Sequence, residues 1–319
     1  MAELDWAAIR SQALDGFALA ALPPTLELPA LPHAVTLFVQ RSNDPKVTAR
    51  ELAQIVETDS GLTLELLRHV NSAYVGLVHK ANTVQQAISL LGLRRSKTLI
   101  ITAGLQAAVR SKKSRLINQN AFWNACLQKA LFAKEAARLL RADGETAFAG
   151  GLLQDYLLPV ITNDLIEHYV CFIQERERQP ECLCEFERQR FGWDHALVAA
   201  ALAHRWHLSD ELVCCLLFHH HGLKVLADAT LRRTSVAAVA LSALLPEQLR
   251  QEVHGLDELL SLQEKWSVFD LERLARTVDE QHAQSGMGLQ NDYPLLRRCQ
   301  AVAASDRYAD GTLVLAASA

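Results

Sequence analysis

Apolar residues in this chain recur every three to four positions, which is the spacing of one face of an α-helix. After the turn at Asp59-Ser60-Gly61, for example, Leu62, Leu66 and Val70 fall on one helical face. No stretch alternates apolar and polar residues over the length that a sheet strand needs. The pattern predicts an all-α fold.

Capping signals lie where these periodic stretches begin and end. Thr48 with Glu51, and Thr83 with Gln86, have the spacing of a capping box. Gly92 stands where a C-cap glycine belongs. The clearest further helices are expected at residues 120–140, 146–161, 194–206, 211–219 and 235–245.

The composition is that of a globular helical protein. The chain has 319 residues, half of them hydrophobic, so it can bury one large or two medium cores. The beginning, MAELDWAAIR, has no apolar signal region, and the apolar stretch near 99–109 is too short to span a bilayer. The seven cysteines form no CxxC pair, which favours reduced thiols. We therefore expect a cytoplasmic protein that does not insert into membranes.

Charge is distributed unevenly along the chain. The net charge is −4, yet no acidic residue occurs between Glu65 and Glu135. Such a basic interval attracts an acidic protein partner, a nucleotide or a nucleic acid, although it could also be a solvated loop that only keeps the protein soluble. The densest part, RSKKSR at 110–115, predicts a basic loop. The candidate binding residues are Arg94, Arg95, Lys97, Arg110, Lys112, Lys113 and Arg115.

Histidines cluster between residues 195 and 221, downstream of Asp155. Imidazole and carboxylate groups are common ligands of divalent metal ions, but a single histidine is more often a hydrogen-bonded polar residue. His219 and His220 point about 100° apart on a helix, so both can reach one ion only from a helix end. Gly222 predicts such an end. No phosphate-binding loop or nucleophile elbow is present, and Cys182 lies among acids that disfavour a reactive thiolate.

Taken together, several segments resemble the HDOD family, a bacterial output domain related to the HD phosphohydrolases. The resemblance covers about residues 20–245 and rests on LPALPHAV at 28–35, the segment at 51–76 ending in NSAYVG, TVQQAISLLGLRRSKTLI at 83–100, the segments at 122–140 and 147–161, and FGWDHALV…CCLLFHH at 191–220. It implies an N-terminal subdomain at 21–115 after a leader helix at 1–20. It also implies an HD-like subdomain at 116–245, with 246–319 as a helical extension outside the resemblance.

The same resemblance implies a degenerate metal site. HD enzymes surround one or two metal ions with histidines and aspartates that activate water for phosphoester hydrolysis. In this chain Ala125 and Gln154 stand where histidines are expected, and Ser242-Ala243 stand near the expected final aspartate. Asp155, His195, His219 and His220 remain from the set.

These departures predict a protein that is not an enzyme. We expect a signalling or regulatory module that acts by binding a signalling protein, another acidic or anionic partner or a small ligand, with no cofactor beyond a weak divalent ion at the four residues that remain. A divergent metal-dependent phosphohydrolase acting on nucleotides is the first alternative. A nucleic-acid or nucleotide binder is the second, although no aromatic stacking motif supports it.

Overall fold

The computed structural model describes residues 4–71, 80–110, 114–176, 178–284 and 291–309. Every regular element within these ranges is helical, so the expected all-α fold is confirmed. The α-helices are α1 (Trp6–Ala13), α2 (His33–Arg41), α3 (Ala49–Glu57), α4 (Ser60–Val70), α5 (Val84–Arg110), α6 (Gln119–Leu140), α7 (Gly144–Leu153), α8 (Leu158–Asp164), α9 (Ile166–Glu175), α10 (Leu183–Phe191), α11 (His195–Arg205), α12 (Asp210–Phe218), α13 (Lys224–Ala227), α14 (Ser235–Ala243), α15 (Gly255–Lys265), α16 (Leu271–Gln284) and α17 (Leu295–Ala309). Short 3₁₀ turns occur at Leu19–Ala21 and His219–His221.

Local sequence signals set the ends of the N-terminal helices. Glu51 donates its backbone N–H to Thr48 Oγ1 at 3.2 Å and accepts the Thr48 N–H at 2.8 Å, which completes the predicted capping box of α3. Gly92 has φ of +76°, a conformation that side chains with a Cβ rarely adopt. It kinks α5 into two helical segments, as expected of a residue that terminates the first of them.

Helix α6 lies at the centre of the core, where it packs against α7, α14 and α16. The crossing of α6 and α7 is close because Gly151 has no side chain. A Cβ added at Gly151 would lie 2.9 Å from Ala130 Cα and 2.9 Å from the Lys129 carbonyl oxygen. This contact brings the backbone of α6 near Lys129 against the last turn of α7.

The prediction of one helix over 146–161 is wrong. Helix α7 ends at Leu153, residues 154–157 form a turn, and α8 begins at Leu158. Pro159 lies in the first turn of α8, where its missing N–H and fixed φ are tolerated, whereas it would disrupt a helix interior. Asp155 therefore lies in a turn between two helices rather than on a helix.

The segment after residue 246 packs back onto the core. Helix α16 lies against α6, and α17 lies against α15 and α16. Arg298 of α17 donates to the Pro246 carbonyl oxygen at 2.8 Å, and Gln128 of α6 donates to the Tyr293 carbonyl oxygen at 2.9 Å. Asp270 Oδ1 accepts the Arg273 N–H at 2.9 Å, so Asp270 caps the start of α16.

No helix in the described ranges combines the length and apolarity that crossing a bilayer requires. The apolar ending TLVLAASA lies outside the described residues, as do Lys112 and Lys113.

Candidate functional site

Three different parts of the fold bring the four candidate metal ligands together. Asp155 lies in the turn after α7, His195 is the first residue of α11, and His219 and His220 lie in the 3₁₀ turn that ends α12. One ligand atom from each of the four lies within 4.8 Å of the others. We call this group the Asp155 centre. Its side chains come together at helix ends. This agrees with the expectation that His219 and His220, which would point about 100° apart on a helix, can reach one point only from a helix end.

A buried lysine completes the Asp155 centre. Lys129 of α6 donates from Nζ to Asp155 Oδ2 at 2.7 Å, and Gln251 donates from Nε2 to Asp155 Oδ1 at 3.1 Å. The Lys129 side chain is 3% exposed. In the sequence, Lys129 stands out only as one positive charge within the acid-free basic interval. The sequence did offer one signal that Lys129 faces the centre. Lys129 lies one helical turn beyond Ala125, where the resemblance expects a histidine ligand, and so on the same face of α6.

Each histidine of the centre is oriented by an acceptor at its Nδ1 atom. His195 Nδ1 lies 2.7 Å from Glu187 Oε2, His219 Nδ1 lies 2.6 Å from the Leu216 carbonyl oxygen, and His220 Nδ1 lies 2.5 Å from Glu252 Oε1. Because carboxylate and carbonyl oxygens only accept, all three Nδ1 atoms carry protons. The Nε2 atoms are therefore the ones directed into the centre.

The electrostatic field favours a positive charge on His195. Burial alone would lower the pKa of His195, but the carboxylates of Glu187 and Asp155 raise it to about 10. Burial and the neighbouring imidazoles of His219 and His195 lower the pKa of His220 well below its usual range. His195 Nε2–H can thus donate to the lone pair of His220 Nε2, which lies 2.9 Å away.

The carboxylate of Asp155 is held in its charged form. Burial alone would raise its pKa, but the Lys129 ammonium and the nearby rings of His195 and His219 hold it well below its usual range. The pKa of Lys129 is itself raised, because Asp155 and Glu247 outweigh the burial that would lower it. The pairs Lys129–Asp155 and His195–Glu187 therefore balance two positive and two negative charges inside the protein.

Little space remains beside Asp155. The adjacent cavity measures about 10 Å³, and roughly 10–15 Å³ is needed to hold one water molecule. Its lining includes Ala125 on one side and the 247–251 segment on the other. Glu247 accepts the backbone N–H groups of Leu249 and Gln251, at 2.7 and 2.8 Å, and so fixes this segment over Asp155.

The donor set at this centre fits one divalent ion. His219 Nε2 is buried, has no hydrogen-bond partner among the described residues and lies 3.5 Å from Asp155 Oδ1. Three Nε2 atoms, that of His195 after loss of its proton, and one carboxylate oxygen would give a closed, four-ligand shell. Catalytic metal sites instead keep a position open for water or substrate. Lys129 on the other carboxylate oxygen and the small cavity leave no such position in the described structure.

Comparison with known proteins identifies the fold family. The family model of the HDOD domain matches residues 28–222, more than half of the chain. The chain belongs to the HDOD family. HDOD domains are related to the HD phosphohydrolases.

Structural relatives share the HDOD fold at low sequence identity. An HDOD domain protein of unknown function from Geobacter sulfurreducens is 20% identical, with a TM-score of 0.58 over 97% of this chain and 99% of that one. A candidate phosphohydrolase from Shewanella amazonensis SB2B is 23% identical, with a TM-score of 0.63 over 85% and 97%. A candidate signal transduction protein from Marinobacter aquaeolei VT8 is 23% identical, with a TM-score of 0.56 over 90% and 67%. These similarities support the fold.

One curated relative is longer than this chain. An uncharacterized protein from Treponema pallidum (strain Nichols) is 25% identical over 202 residues, which is 61% of this chain. The matched part is only 38% of that protein, so the relative extends well beyond the shared HDOD region.

The positions where this HDOD chain departs from the HD pattern also lie around the centre. Ala125 lines the small cavity beside Asp155. Ser242 donates to Gln154 Oε1 at 3.4 Å, so two of the replaced positions contact each other. Gln154 and Ser242 are both fully buried. A neutral hydrogen bond thus links two of the substituted residues.

The candidate binding residues of the basic interval lie apart from the Asp155 centre. Arg94 forms an ion pair with Asp143, Arg95 Nη2 lies 3.4 Å from Glu145 Oε1, and Lys97 donates to Asn43 Oδ1 at 2.8 Å. These pairs link the second segment of α5 to α2 and α7. Arg115 is exposed. Arg110 ends α5, but its side chain, like Lys112 and Lys113, lies outside the described residues.

Proposed function

We propose that this HDOD protein is a non-catalytic signalling or regulatory module that acts by binding a partner. One observation supports this proposal above all others: both oxygens of Asp155 accept hydrogen bonds from buried protein donors, Lys129 and Gln251. A phosphoester needs both a metal-activated water and room for its phosphoryl group. The adjacent cavity of about 10 Å³ is too small for that group.

The charge balance supports the same proposal. In HD enzymes divalent ions neutralise the acidic centre and activate water. Here the Lys129 ammonium and the His195 imidazolium provide positive charge within the centre itself. These cations hold the surrounding helix ends together, but neither can supply a metal-bound hydroxide.

The partner is proposed to be acidic and to contact the end of α5 and the loop that follows it. Arg94 and Arg95 are already paired with acids of the same chain, so they contribute less free charge than the sequence suggested. Arg115 is exposed next to the basic loop. The positive electrostatic field of such basic residues increases the rate of association with an acidic surface, and this effect weakens as the salt concentration rises.

Hydrolysis assays test the non-catalytic role. The wild-type protein and Asp155→Asn are each incubated with Mn²⁺, Fe²⁺ or Zn²⁺ and with bis(p-nitrophenyl) phosphate, nucleotides and cyclic dinucleotides. We expect equal, background turnover in both proteins. Metal-dependent turnover that is present in the wild type and lost in Asp155→Asn would establish the enzyme and refute the proposal.

Charge reversal tests the binding surface. Partners captured at low salt are compared for the wild type, Arg115→Glu and Arg232→Glu, a matched control at an exposed arginine elsewhere on the protein. We expect Arg115→Glu to lose the partner and Arg232→Glu to retain it. Equal retention by both variants would refute the proposed surface, and capture of nucleic acid alone would favour a nucleic-acid binder.

A metal-dependent phosphohydrolase is the second candidate function. The buried Nε2 of His219, without a hydrogen-bond partner among the described residues, is the observation that favours it. This candidate requires one metal ion per protein chain and measurable phosphoester turnover. Both the metal ion and the turnover should be lost in His219→Ala. A bound metal ion without phosphoester turnover would instead indicate a non-catalytic metal site with the closed four-ligand shell.

A further inference from the structure

A second group of potential ligands lies beside the Asp155 centre. Cys184 is in the first turn of α10, His220 follows α12, and Glu252 lies in the segment before α15. One ligand atom from each of the three lies within 4.8 Å of the others. Cys184 is buried, while His220 and Glu252 are partly exposed. Three separate segments therefore bring sulfur, nitrogen and oxygen donors to one place near the surface.

A second thiol extends this group. Cys182 Sγ donates to Glu252 Oε2 at 3.4 Å. The Leu183 N–H donates to the Gln251 carbonyl oxygen at 2.9 Å. This bond fixes the Cys182–Cys184 segment against the segment that carries Glu252. Cys182 is the N-cap residue of α10, and its side chain makes no capping hydrogen bond. The thiol is therefore free to serve as a ligand without loss of a helix cap.

The group uses a different atom of His220 from the one that faces the Asp155 centre. His220 Nδ1 lies 2.5 Å from Glu252 Oε1, whereas Nε2 lies 2.9 Å from His195 Nε2. The His220 ring thus lies between the two groups, and its hydrogen bond with His195 fixes its orientation. Zinc at Nδ1 requires the His220 proton at Nε2, so on binding His195 Nε2 gives up its proton and accepts the His220 Nε2–H. A hydrogen bond donated from the far side of the ring is the usual support of a metal-bound histidine.

We propose that Cys182, Cys184, His220 and Glu252 bind one zinc ion, which clamps the segment ending at Glu252 against α10 and α12. Two sulfurs, one imidazole and one carboxylate are a ligand set that Zn²⁺ binds in tetrahedral geometry. This site goes beyond the proposed function, since it is separate from the residues of the Asp155 centre except for the shared ring of His220.

Binding requires a modest movement and the release of protons. Ligand atoms about 2.0–2.3 Å from a tetrahedral zinc ion lie roughly 3.4–3.8 Å apart, so the 2.5 Å contact between His220 and Glu252 must open by about 1 Å. Cys182 Sγ, which lies near Glu252 but outside the group of three, must also move toward Cys184 and His220. Burial raises the pKa of Cys182 to about 11 and that of Cys184 further. Both thiols therefore hold protons until the metal displaces them, and affinity should rise with pH.

The bound zinc ion would also affect the segment at 247–251, which lies over Asp155. Gln251, whose side chain donates to Asp155, immediately precedes Glu252. Zinc bound at Glu252 would therefore hold the 247–251 segment in its closed position.

Cobalt substitution tests the site in the full-length protein under reducing conditions. One equivalent of Co²⁺ should produce a thiolate-to-cobalt charge-transfer band in the near ultraviolet, which zinc removes. The double variant Cys182→Ser/Cys184→Ser should lose the band. Cys184→Ser alone should weaken the band and bind zinc at least about 10–100-fold more weakly, the loss that even indirect damage to a metal site produces. Cys171→Ser, at an exposed cysteine outside the group, and Asp155→Asn should both retain it.

Thiol protection gives a second measurement that needs no variant. In the wild-type protein, zinc should slow the alkylation of Cys182 and Cys184, identified by peptide mass spectrometry, and leave Cys171 unaffected. No charge-transfer band with the wild type, a band that survives in Cys182→Ser/Cys184→Ser, or equal alkylation with and without zinc would each overturn the proposal. Cobalt that binds without a charge-transfer band and is lost in Asp155→Asn would place the metal at the thiol-free Asp155 centre and would also overturn it.

Discussion

Replacing Lys129 by methionine tests the role of the buried ammonium directly. Methionine has a similar length and fills the same apolar path, but it leaves the Asp155 carboxylate without its closest positive charge. Both side chains are 3% exposed, so water cannot replace the lost interaction. Breaking a buried ion pair at one partner typically costs about 3–5 kcal/mol. Gln251 and His195 still contact or approach Asp155, so we expect the lower end, a loss of about 3 kcal/mol.

Chemical denaturation monitored by circular dichroism measures this loss. The double variant Lys129→Met/Asp155→Asn, which removes both charges, should recover about 2–3 kcal/mol relative to the single variant. Lys134→Met is the matched control on the same helix. Its partner Glu145 lies 3.2 Å away and is partly exposed, so the loss there should stay within about 1 kcal/mol. A Lys129→Met protein as stable as the control variant would refute the assigned role of the pair.

The pH dependence provides an independent check on the same pair. The pKa of Asp155 in the folded protein is depressed below 3.8, so its contribution to stability is present above that pH. The contribution is lost as the pH falls through the folded pKa. Removing Lys129 lets burial raise the pKa of Asp155 in the variant, so the stability gap between wild type and Lys129→Met should be largest near neutrality and narrow as the pH falls. A gap that widens on acidification would contradict the sign of the shift.

Three further substitutions test other parts of the structure. Glu187→Gln removes the carboxylate that most strongly raises the pKa of His195, so NMR titration of that ring should give a pKa well below about 10. Gly151→Val places a side chain against Ala130 Cα, 2.9 Å from the added Cβ, and should lower the free energy of unfolding by about 1–3 kcal/mol; an unchanged melting temperature would refute the close crossing. Thr48→Ala removes half of a capping box and should cost about 1 kcal/mol by the same denaturation assay.

The fold class was predictable because it depends on local patterns. The capping box at Thr48, the break at Gly92 and the helix end before Gly222 are each encoded within a few neighbouring residues. The helix predicted over 146–161 was wrong because its apolar pattern continues through a turn. Pro159, which would disrupt the interior of one continuous helix, was the sequence signal that a second helix begins there.

The candidate site was predictable only in part. The resemblance to a family supplied Asp155 and the three histidines, which the fold brings together. Lys129 was missed because a lysine is rarely buried, and its partner lies 26 positions away in the chain. Gln251 and Glu252 were missed because their contacts join segments 96 and 32 residues apart, which no local pattern encodes.

The central claim is that the Asp155 centre is neutralised by protonated side chains of the protein itself. Imidazole ¹⁵N NMR tests it most directly on the full-length protein at about pH 8, between the ordinary histidine pKa of 6.5 and the raised value of about 10. We expect both ring nitrogens of His195 to carry protons, and added Mg²⁺ to leave their signals unchanged. A His195 ring with an unprotonated Nε2 that shifts when metal is added would contradict the claim.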